Sequence, residues 1–598
     1  MTSQTLPSER SEIRVFVYAL ALILPPLLAY NRSPSATQLN ELLCVFGWGL
    51  CMLVANRTPP AGARRGAIAT LAVSLGLMCL AIIGSWTIGS LPTSLALPPL
   101  LLIVSACFVA ALGERVAQGG DQDGLQAFAP FAFGIVGVGV VSAIIAAIQV
   151  YLPSLNSVLI AQSGIPGRAV GNLRQPNHLA SLLVWSAIAL VPLVEWGRVP
   201  RWLGGLLLLL IMWAVFLSGS RTGLYGGTAV LVAWGMVDTR LSRATRIALA
   251  LTVVFPLWAL CLPWLSAHFP LIPHAVGAAT RVSDGDSSHF AIWKNAVEMV
   301  RQQPWLGVGW GEFNFAWTLT PFPHRPTAFF DHTHDLPLQL IVELGIPLAL
   351  VVLGFMVWAL VQGLVRAWAT QGPAGHGARA AWVMVAMIGI HSLDEYPLWY
   401  AYFLLPAAWA WGFTLGSGPA PKPAVEVTLS GVVGGRPVDP GKLIRLSSEG
   451  SGLRWFGGAM VVVALLSTWD YLRVSTIFLE DAGLPPLADR INAGQSSWFF
   501  AHHADYADAT TADPPSKALG ALERSTHSLL DSRLMMAWAT ALSESGQTER
   551  AQYLVARLKE FDKADSVEFF APCTDATVAV KPFQCQPEPK GLTWRDFR

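Results

Sequence analysis

Residues 127–150 read AFAPFAFGIVGVGVVSAIIAAIQV, a stretch without a single charged side chain. As a helix it rises about 36 Å, more than the ~30 Å hydrocarbon layer of a bilayer. Apolar on every face, it reads as a transmembrane helix. Runs of the same kind recur on both sides, at approximately 13–30, 40–56, 67–85, 92–112, 178–195, 203–218, 223–237, 247–266, 336–361, 380–395, 397–415 and 455–469, giving thirteen in all. The shorter ones are completed by flanking Trp, Tyr or Arg, which settle at the headgroup level. The expected fold class is therefore an all-α polytopic membrane protein of about 13 transmembrane helices.

Composition agrees. Of 598 residues, 53% are hydrophobic and 13% are charged, against about 25% charged in soluble globular chains. A water-soluble reading is poor on that ground, and the formal charge of +1 argues against a nucleic-acid partner. The 24 Trp residues suit a chain that meets membrane interfaces repeatedly. The first run, Val15 to Tyr30, lacks the small-x-small exit of a cleaved signal peptide, so it is expected to remain as a span.

Orientation follows from Lys and Arg, which collect in short cytoplasmic loops. With the N-terminus inside, the inner loops hold Arg57, Arg64 and Arg65; Arg115; Arg198 and Arg201; Arg240, Arg243 and Arg246; Arg366 and Arg379; then Lys422, Arg436, Lys442, Arg445 and Arg454. Segment 151–177, the turn 218–222, the large loop 267–335 with its short helices, and everything after Trp469 then lie outside. In a Gram-negative cell that is the periplasmic face of the inner membrane. Of seven cysteines, Cys573 and Cys585 fall in the polar tail, where an oxidising compartment pairs thiols so close in sequence; free surface thiols are the other reading. Residues 515–562 read as a helix pair broken at Gly546, too small to bury its own apolar face, so it must dock on the membrane domain or on a partner. The Gly, Pro and Val-rich stretch 416–453 reads as a cytoplasmic linker.

Ionisable side chains at the ends of spans are functional candidates, because holding them near lipid is costly. Five clusters qualify. Gly171 to His178, with Arg168 before it, gathers Arg174, Gln175, Asn177 and His178 at the start of an apolar helix; Asn177 also reads as a helix cap. The turn Ser218 to Gly223 carries Arg221, which on its own also reads as a snorkelling side chain. In the large loop, Arg281, Asp284, Asp286 and His289 precede Trp293 and Lys294, and Pro304 to Gly311 follows, rich in Gly and Trp but without the Lys-Ser/Thr ending of a phosphate loop. Close backbone packing is its expected role. Asp331-His332-Thr333-His334-Asp335 then leads to Glu343 and Gly345. Two His so spaced suit zinc where a third ligand is near, and His274, His289, His324 and His391 keep that open. Last comes His391 to Pro397, with Asp394, Glu395 and Tyr396, which also reads as a polar helix end before a proline.

Ser220 to Gly223, the run Trp293 to Phe313, and His334-Asp335 with Glu343 and Gly345 resemble the shared core of the O-antigen ligase and polymerase superfamily. Gly171 to His178 and His391 to Tyr396 are similar in particular to bacterial protein O-oligosaccharyltransferases. The resemblance spans roughly 165–415, a ligase-like catalytic core between N-terminal helices 1–164 and the linker, last span 454–470 and periplasmic helical tail 471–598. It implies transfer of a preassembled glycan from an undecaprenyl diphosphate carrier to Ser or Thr hydroxyls of periplasmic or pilin proteins, with no cofactor and no metal. Arg221, helped by Arg174 and Arg168, would grip the diphosphate, since a guanidinium stays charged and binds phosphate oxygens through two donors. His334 would take the acceptor's proton, oriented by Asp335 or Glu343. Gln175, Asn177, His178, His391, Glu395 and Tyr396 would be accessory. Relatives carry a second Arg where this chain has His289, so Arg281, Arg325 or protonated His289 is left to supply that charge.

An O-antigen ligase acting on lipid A core, or an O-antigen polymerase, would share the donor site. A lipid-linked glycan transporter belongs to a different class and would carry charges near the bilayer midplane and often repeated halves. Here the charges sit at one edge and no repeat is visible.

Overall fold

The computed structural model describes residues 9–55, 66–119, 125–155, 157–268, 289–418 and 449–598. Among them the regular structure is helical, relieved only by isolated bridges Arg32 to Ser35 and Ser157 to Ile160. The expectations for Arg57, Arg64 and Arg65, for His274, Arg281, Asp284 and Asp286, and for most of the linker fall outside the described residues.

Each of the thirteen apolar runs lies on helix. Among the described residues, eight helices are long and apolar enough to cross a membrane by those criteria alone: Ala69–Thr87, Thr93–Gln118, Phe128–Tyr151, Pro176–Glu195, Arg201–Ser218, Arg243–Leu262, Leu336–Ala369 and Gly452–Phe478. Phe16–Leu27, Gln38–Leu53 and Thr222–Val237 are shorter apolar helices. The two remaining runs, 380–395 and 397–415, lie on Gly372–His391 and Ala401–Gly416. The count of thirteen crossings thus exceeds the eight that length and apolarity support.

Pro176–Glu195 is the centre of the bundle, buried along almost its whole length. Its polar groups are used inward: Trp185 Nε1 donates to the Met384 carbonyl at 2.9 Å and Ser186 Oγ to the Ile135 carbonyl at 2.7 Å. At the end remote from the site, buried Arg379 Nε meets Asp238 Oδ2 at 2.5 Å.

The bend that positions the site lies in Leu336–Ala369. Gly345 has φ 75° and ψ 162°, outside helical geometry, a conformation that Gly tolerates without Cβ strain. Pro347 has no N–H to offer the Glu343 carbonyl. Ile346 N–H turns away to the Pro304 carbonyl at 2.8 Å. The carbonyls of Val342 and Glu343 are thereby released, and a buried carbonyl without a partner is costly. Val308 N–H takes the first at 2.9 Å and Gly309 N–H the second at 3.0 Å. A Cβ on Gly307 would stand 2.5 Å from backbone atoms of both residues. The Gly-rich run is therefore packed backbone, as its sequence suggested.

The tail docks on the large loop. The pair expected over 515–562 is narrower, Ser532–Glu544 and Thr548–Phe561, because residues 515–525 form a 3-10 turn and a separate short helix, Leu519–Ser525. Trp538, Leu554 and Phe561 share one buried core with Phe313, Trp317 and Phe330 of the loop. His527 Nδ1 lies 2.7 Å from Glu312 Oε2, and Tyr553 donates to the Leu319 carbonyl at 2.6 Å. Arg325, one of the residues proposed for the missing charge, is spent here. Its buried guanidinium donates to Glu560 at 2.9 Å and to the carbonyls of Trp317 and Thr320, and lies 4.6 to 5.0 Å from the rings of Phe561, Trp317 and Phe322. Cys573 and Cys585 are joined by a disulfide.

Removing one partner of a buried ion pair strands the other charge, typically at about 3–5 kcal/mol. Glu560→Ala should therefore lower the thermal midpoint of the detergent-solubilised protein by far more than Glu298→Ala, whose pairing with Arg301 is exposed.

Candidate functional site

His334 is held by the end of the bent helix. Asp335 is the N-cap of Leu336–Ala369, its carboxylate accepting from Leu338 N–H at 2.7 Å. Thr333 is pinned three ways: its N–H donates to Gln339 Oε1 at 2.8 Å, its hydroxyl to the Asp335 carbonyl at 2.9 Å, and its carbonyl accepts from Trp293 Nε1 at 2.9 Å. Between two such anchors His334 is driven to φ 58°, left-handed backbone that disfavours an L side chain by about 1–3 kcal/mol. Gln339 is held in turn by Glu343, whose Oε1 accepts from Gln339 Nε2 at 3.0 Å and from Gly311 N–H at 3.1 Å. Asp335 and Glu343 thus fix the backbone beneath His334, while neither is the carboxylate at its ring.

That carboxylate is Glu395. Leu336 N–H donates to the Ser392 carbonyl at 2.7 Å, drawing the segment after Gly372–His391 against the start of the bent helix. Glu395 Oε2 then stands 3.8 Å from His334 Nε2, while Asn177 Nδ2 holds the other oxygen at 2.6 Å. His289, the first residue of His289–Gln302, stacks on His334 with ring centroids 4.8 Å apart. Its Nδ1 is 3.2 Å from Asp394 Oδ1, and Asp394 Oδ2 accepts from Thr222 at 2.5 Å. Arg221, partly buried, is the residue before Thr222 and opens the π-helical turn Thr222–Gly227. Contacts therefore run unbroken from the Arg221 turn through Thr222, Asp394 and His289 to His334. Tyr396 packs edge-on to His334 at 4.8 Å and stacks on His332 at 4.4 Å.

Other expected residues have structural tasks. Arg168 Nε donates to the Ser218 carbonyl at 3.0 Å and so clamps the Arg221 turn. Arg174, at φ 57°, donates to the carbonyls of Ala36, at 3.0 Å, and of Ala29. Gln175, not Asn177, caps Pro176–Glu195, accepting from His178 N–H at 2.8 Å. Buried His178 and His391 are paired with Tyr402 OH at 3.0 Å and Ser181 Oγ at 2.7 Å.

Burial first, and the neighbouring His289 second, push the His334 imidazole down to about 4. Its Nδ1 is 3.1 Å from the His332 carbonyl. A carbonyl only accepts, so Nδ1 carries the proton and Nε2 keeps its lone pair. A cavity of about 550 Å³ opens beyond His332, lined by Glu41, Asp331, His332 and Glu343 together with many apolar side chains, and no Lys or Arg is among its described lining residues.

Segments of the chain are similar to membrane proteins of the O-antigen ligase superfamily, and most like its protein O-oligosaccharyltransferases. Residues 206–353 match the O-antigen ligase model, 169–193 the protein glycosylation ligase model, and 379–566 the model of the virulence factor membrane-bound polymerase, C-terminal. Between them these segments hold Gly171 to His178, Arg221, His289, His334 and Glu395. In particular, the chain is 25% identical over 278 residues to the general O-oligosaccharyltransferase of Acinetobacter baylyi, covering 43% of this chain and 47% of that one. It is 22% identical over 314 residues to the ComP-specific O-oligosaccharyltransferase of the same organism, covering 52% and 55%. The chain spans about half the length of these curated relatives.

Nitrogen-detected NMR of imidazole-labelled protein should find His334 protonated on Nδ1 and titrating near pH 4. A midpoint near the ordinary value of about 6.5 would contradict the burial described here.

Proposed function

We propose that the chain is a glycosyltransferase of the outer face of the bacterial inner membrane, moving a preassembled glycan from undecaprenyl diphosphate to Ser or Thr hydroxyls of periplasmic or pilin proteins. The observation that carries this reading is the continuity of contacts between the Arg221 turn and His334. On this reading the apolar runs are thirteen crossings, residues 165–415 are the catalytic core, and residues 471–598 are a periplasmic support for the large loop.

The reaction needs little from the protein beyond charge and a base. The acceptor hydroxyl gives its proton to His334 Nε2 as its oxygen bonds to the sugar's anomeric carbon. The bond from that carbon to the phosphate oxygen breaks, and the lipid diphosphate leaves with the electron pair. A diphosphate is already a good leaving group, so fixed positive charge from Arg221 suffices to hold the developing anion. A low His334 pKa keeps the imidazole in its accepting form at neutral pH. Glu395, facing the same nitrogen across 3.8 Å, stabilises the imidazolium as it forms. No metal takes part in these steps.

A glycan ligase acting on lipid A core is favoured as the second reading by the O-antigen ligase match over 206–353. Expression beside a lipid-linked glycan pathway, with a periplasmic pilin and lipopolysaccharide analysed in parallel, decides between them. Glycan on the pilin supports the proposal; glycan on lipopolysaccharide alone rejects it. In the same assay His334→Ala should lose about 10²–10⁴-fold, the range for a general base. Arg221→Ala should be comparably impaired. Asp335→Asn, which keeps a good cap, should stay within a few-fold of wild type, whereas Glu395→Gln should fall well below it. On acidification activity should first fall through about 7, where burial has raised the Glu395 carboxyl and its protonation removes the counter-charge for the imidazolium. It should fall again through about 4, where protonation of His334 removes the acceptor for the hydroxyl proton. A profile in Glu395→Gln centred near pH 6.5 instead of about 4 would remove His334 from that role.

A further inference from the structure

We propose that His289, His334 and Glu395 form a binding site for one divalent first-row transition-metal ion, with Zn²⁺ the ion their donors fit best. One ligand atom from each lies within 4.8 Å of the other two. Convergence alone is common on protein surfaces, and what distinguishes this group is how each ligand is backed. His334 presents Nε2 because its Nδ1 proton is given to the His332 carbonyl at 3.1 Å. His289 presents Nε2 because its Nδ1 faces the Asp394 carboxylate at 3.2 Å, and Asp394 is held by Thr222. Glu395 presents Oε2 because Asn177 occupies Oε1 at 2.6 Å. A carbonyl or carboxylate behind each imidazole and a donor behind the carboxylate is the arrangement that orients metal ligands and fixes their tautomers.

Two imidazoles and one carboxylate match the three-ligand zinc sites that leave a fourth position open. Bonds of about 2.0–2.2 Å set tetrahedral donors roughly 3.4 Å apart, so the pair His334 Nε2 and Glu395 Oε2, at 3.8 Å, needs only a small contraction. His289 is the third ligand. It stands where the superfamily resemblance leads one to expect Arg, and a guanidinium offers no lone pair. The site is thus a property of this chain's own residue at 289.

Metal and proton compete for the same lone pair. Resting on the reading of His334 as the base, bound Zn²⁺ blocks glycan transfer, and a chelator restores it.

The test uses the full chain in detergent micelles with any affinity tag removed. Co²⁺ absorption and Zn²⁺ calorimetry at pH 7 should give one equivalent of tight binding in wild type. Asp394→Asn should weaken it about 10–100-fold, as loss of an outer partner does, and His289→Ala should abolish it. Thermal unfolding of both variants guards against misfolding. Absence of stoichiometric binding in wild type, or binding that survives His289→Ala, overturns the site. Binding without inhibition upholds the site and removes His334 from the proton step. A metal-free wild type that binds Co²⁺ but transfers no glycan upholds the site and rejects the proposed reaction instead.

Discussion

Two carbonyls, those of Val342 and Glu343, tie the molecule together. Gly345 and Pro347 break the helix that follows His334, and a break inside apolar surroundings is stable only if the released backbone groups find partners. Val308 and Gly309 supply them, and Gly307 lets the two backbones close to contact. The large loop is thereby joined to the bent helix by main-chain bonds. His289–Gln302 precedes that joint and Phe313–Leu319 follows it, so both inherit its position.

The tail makes the same joint rigid from the other side. Its helices share a core with Phe313, Trp317 and Phe330, and its Glu560 neutralises Arg325 within that core. A charge placed there serves the loop's shape and not a phosphate. This leaves a division of labour among carboxylates: Asp335 caps, Glu343 holds Gln339 beneath Thr333, Asp394 aligns His289, and Glu395 faces the His334 nitrogen.

How much of this was legible in the sequence depends on the range of the interaction. Apolar runs announce helices because each span must satisfy its own backbone, so all thirteen fell on helix, and the Gly-rich run betrayed its packing by lacking phosphate-loop chemistry. The five polar clusters were visible as clusters because lipid makes such residues rare. Which cluster touches which was not visible, since His289 and Asp394 are separated by 105 positions and Asn177 and Glu395 by 218. Proximity in sequence therefore favoured Asp335 as the partner of His334, although a residue just before a helix is more usefully spent on its cap. Asp394 and Thr222 carried their signal only as members of polar clusters, and Gln339, inside an apolar run, carried none. Nor was it visible that Arg174, a cation near a membrane edge that suggests an anion, also donates to backbone carbonyls of a neighbouring turn.

The His334 site has one chemical property from which both proposals descend. An imidazole whose Nδ1 proton is fixed by the His332 carbonyl has a lone pair on Nε2 that is fixed in direction too. Burial keeps that lone pair free of a bulk proton, since charging the ring there is unfavourable. A hydroxyl proton and a metal ion are both ligands for it, and they differ in what else they require. A proton in transit needs only Glu395 nearby to stabilise the imidazolium, whereas a metal needs a second neutral nitrogen within bonding range. His289 meets that second requirement and still leaves the first intact, so a Lewis-acid blocker and a Brønsted-base reaction can share one nitrogen. Replacing His289 by Arg would remove the metal's second nitrogen while leaving His334 and Glu395 in place, which separates the two properties at a single position.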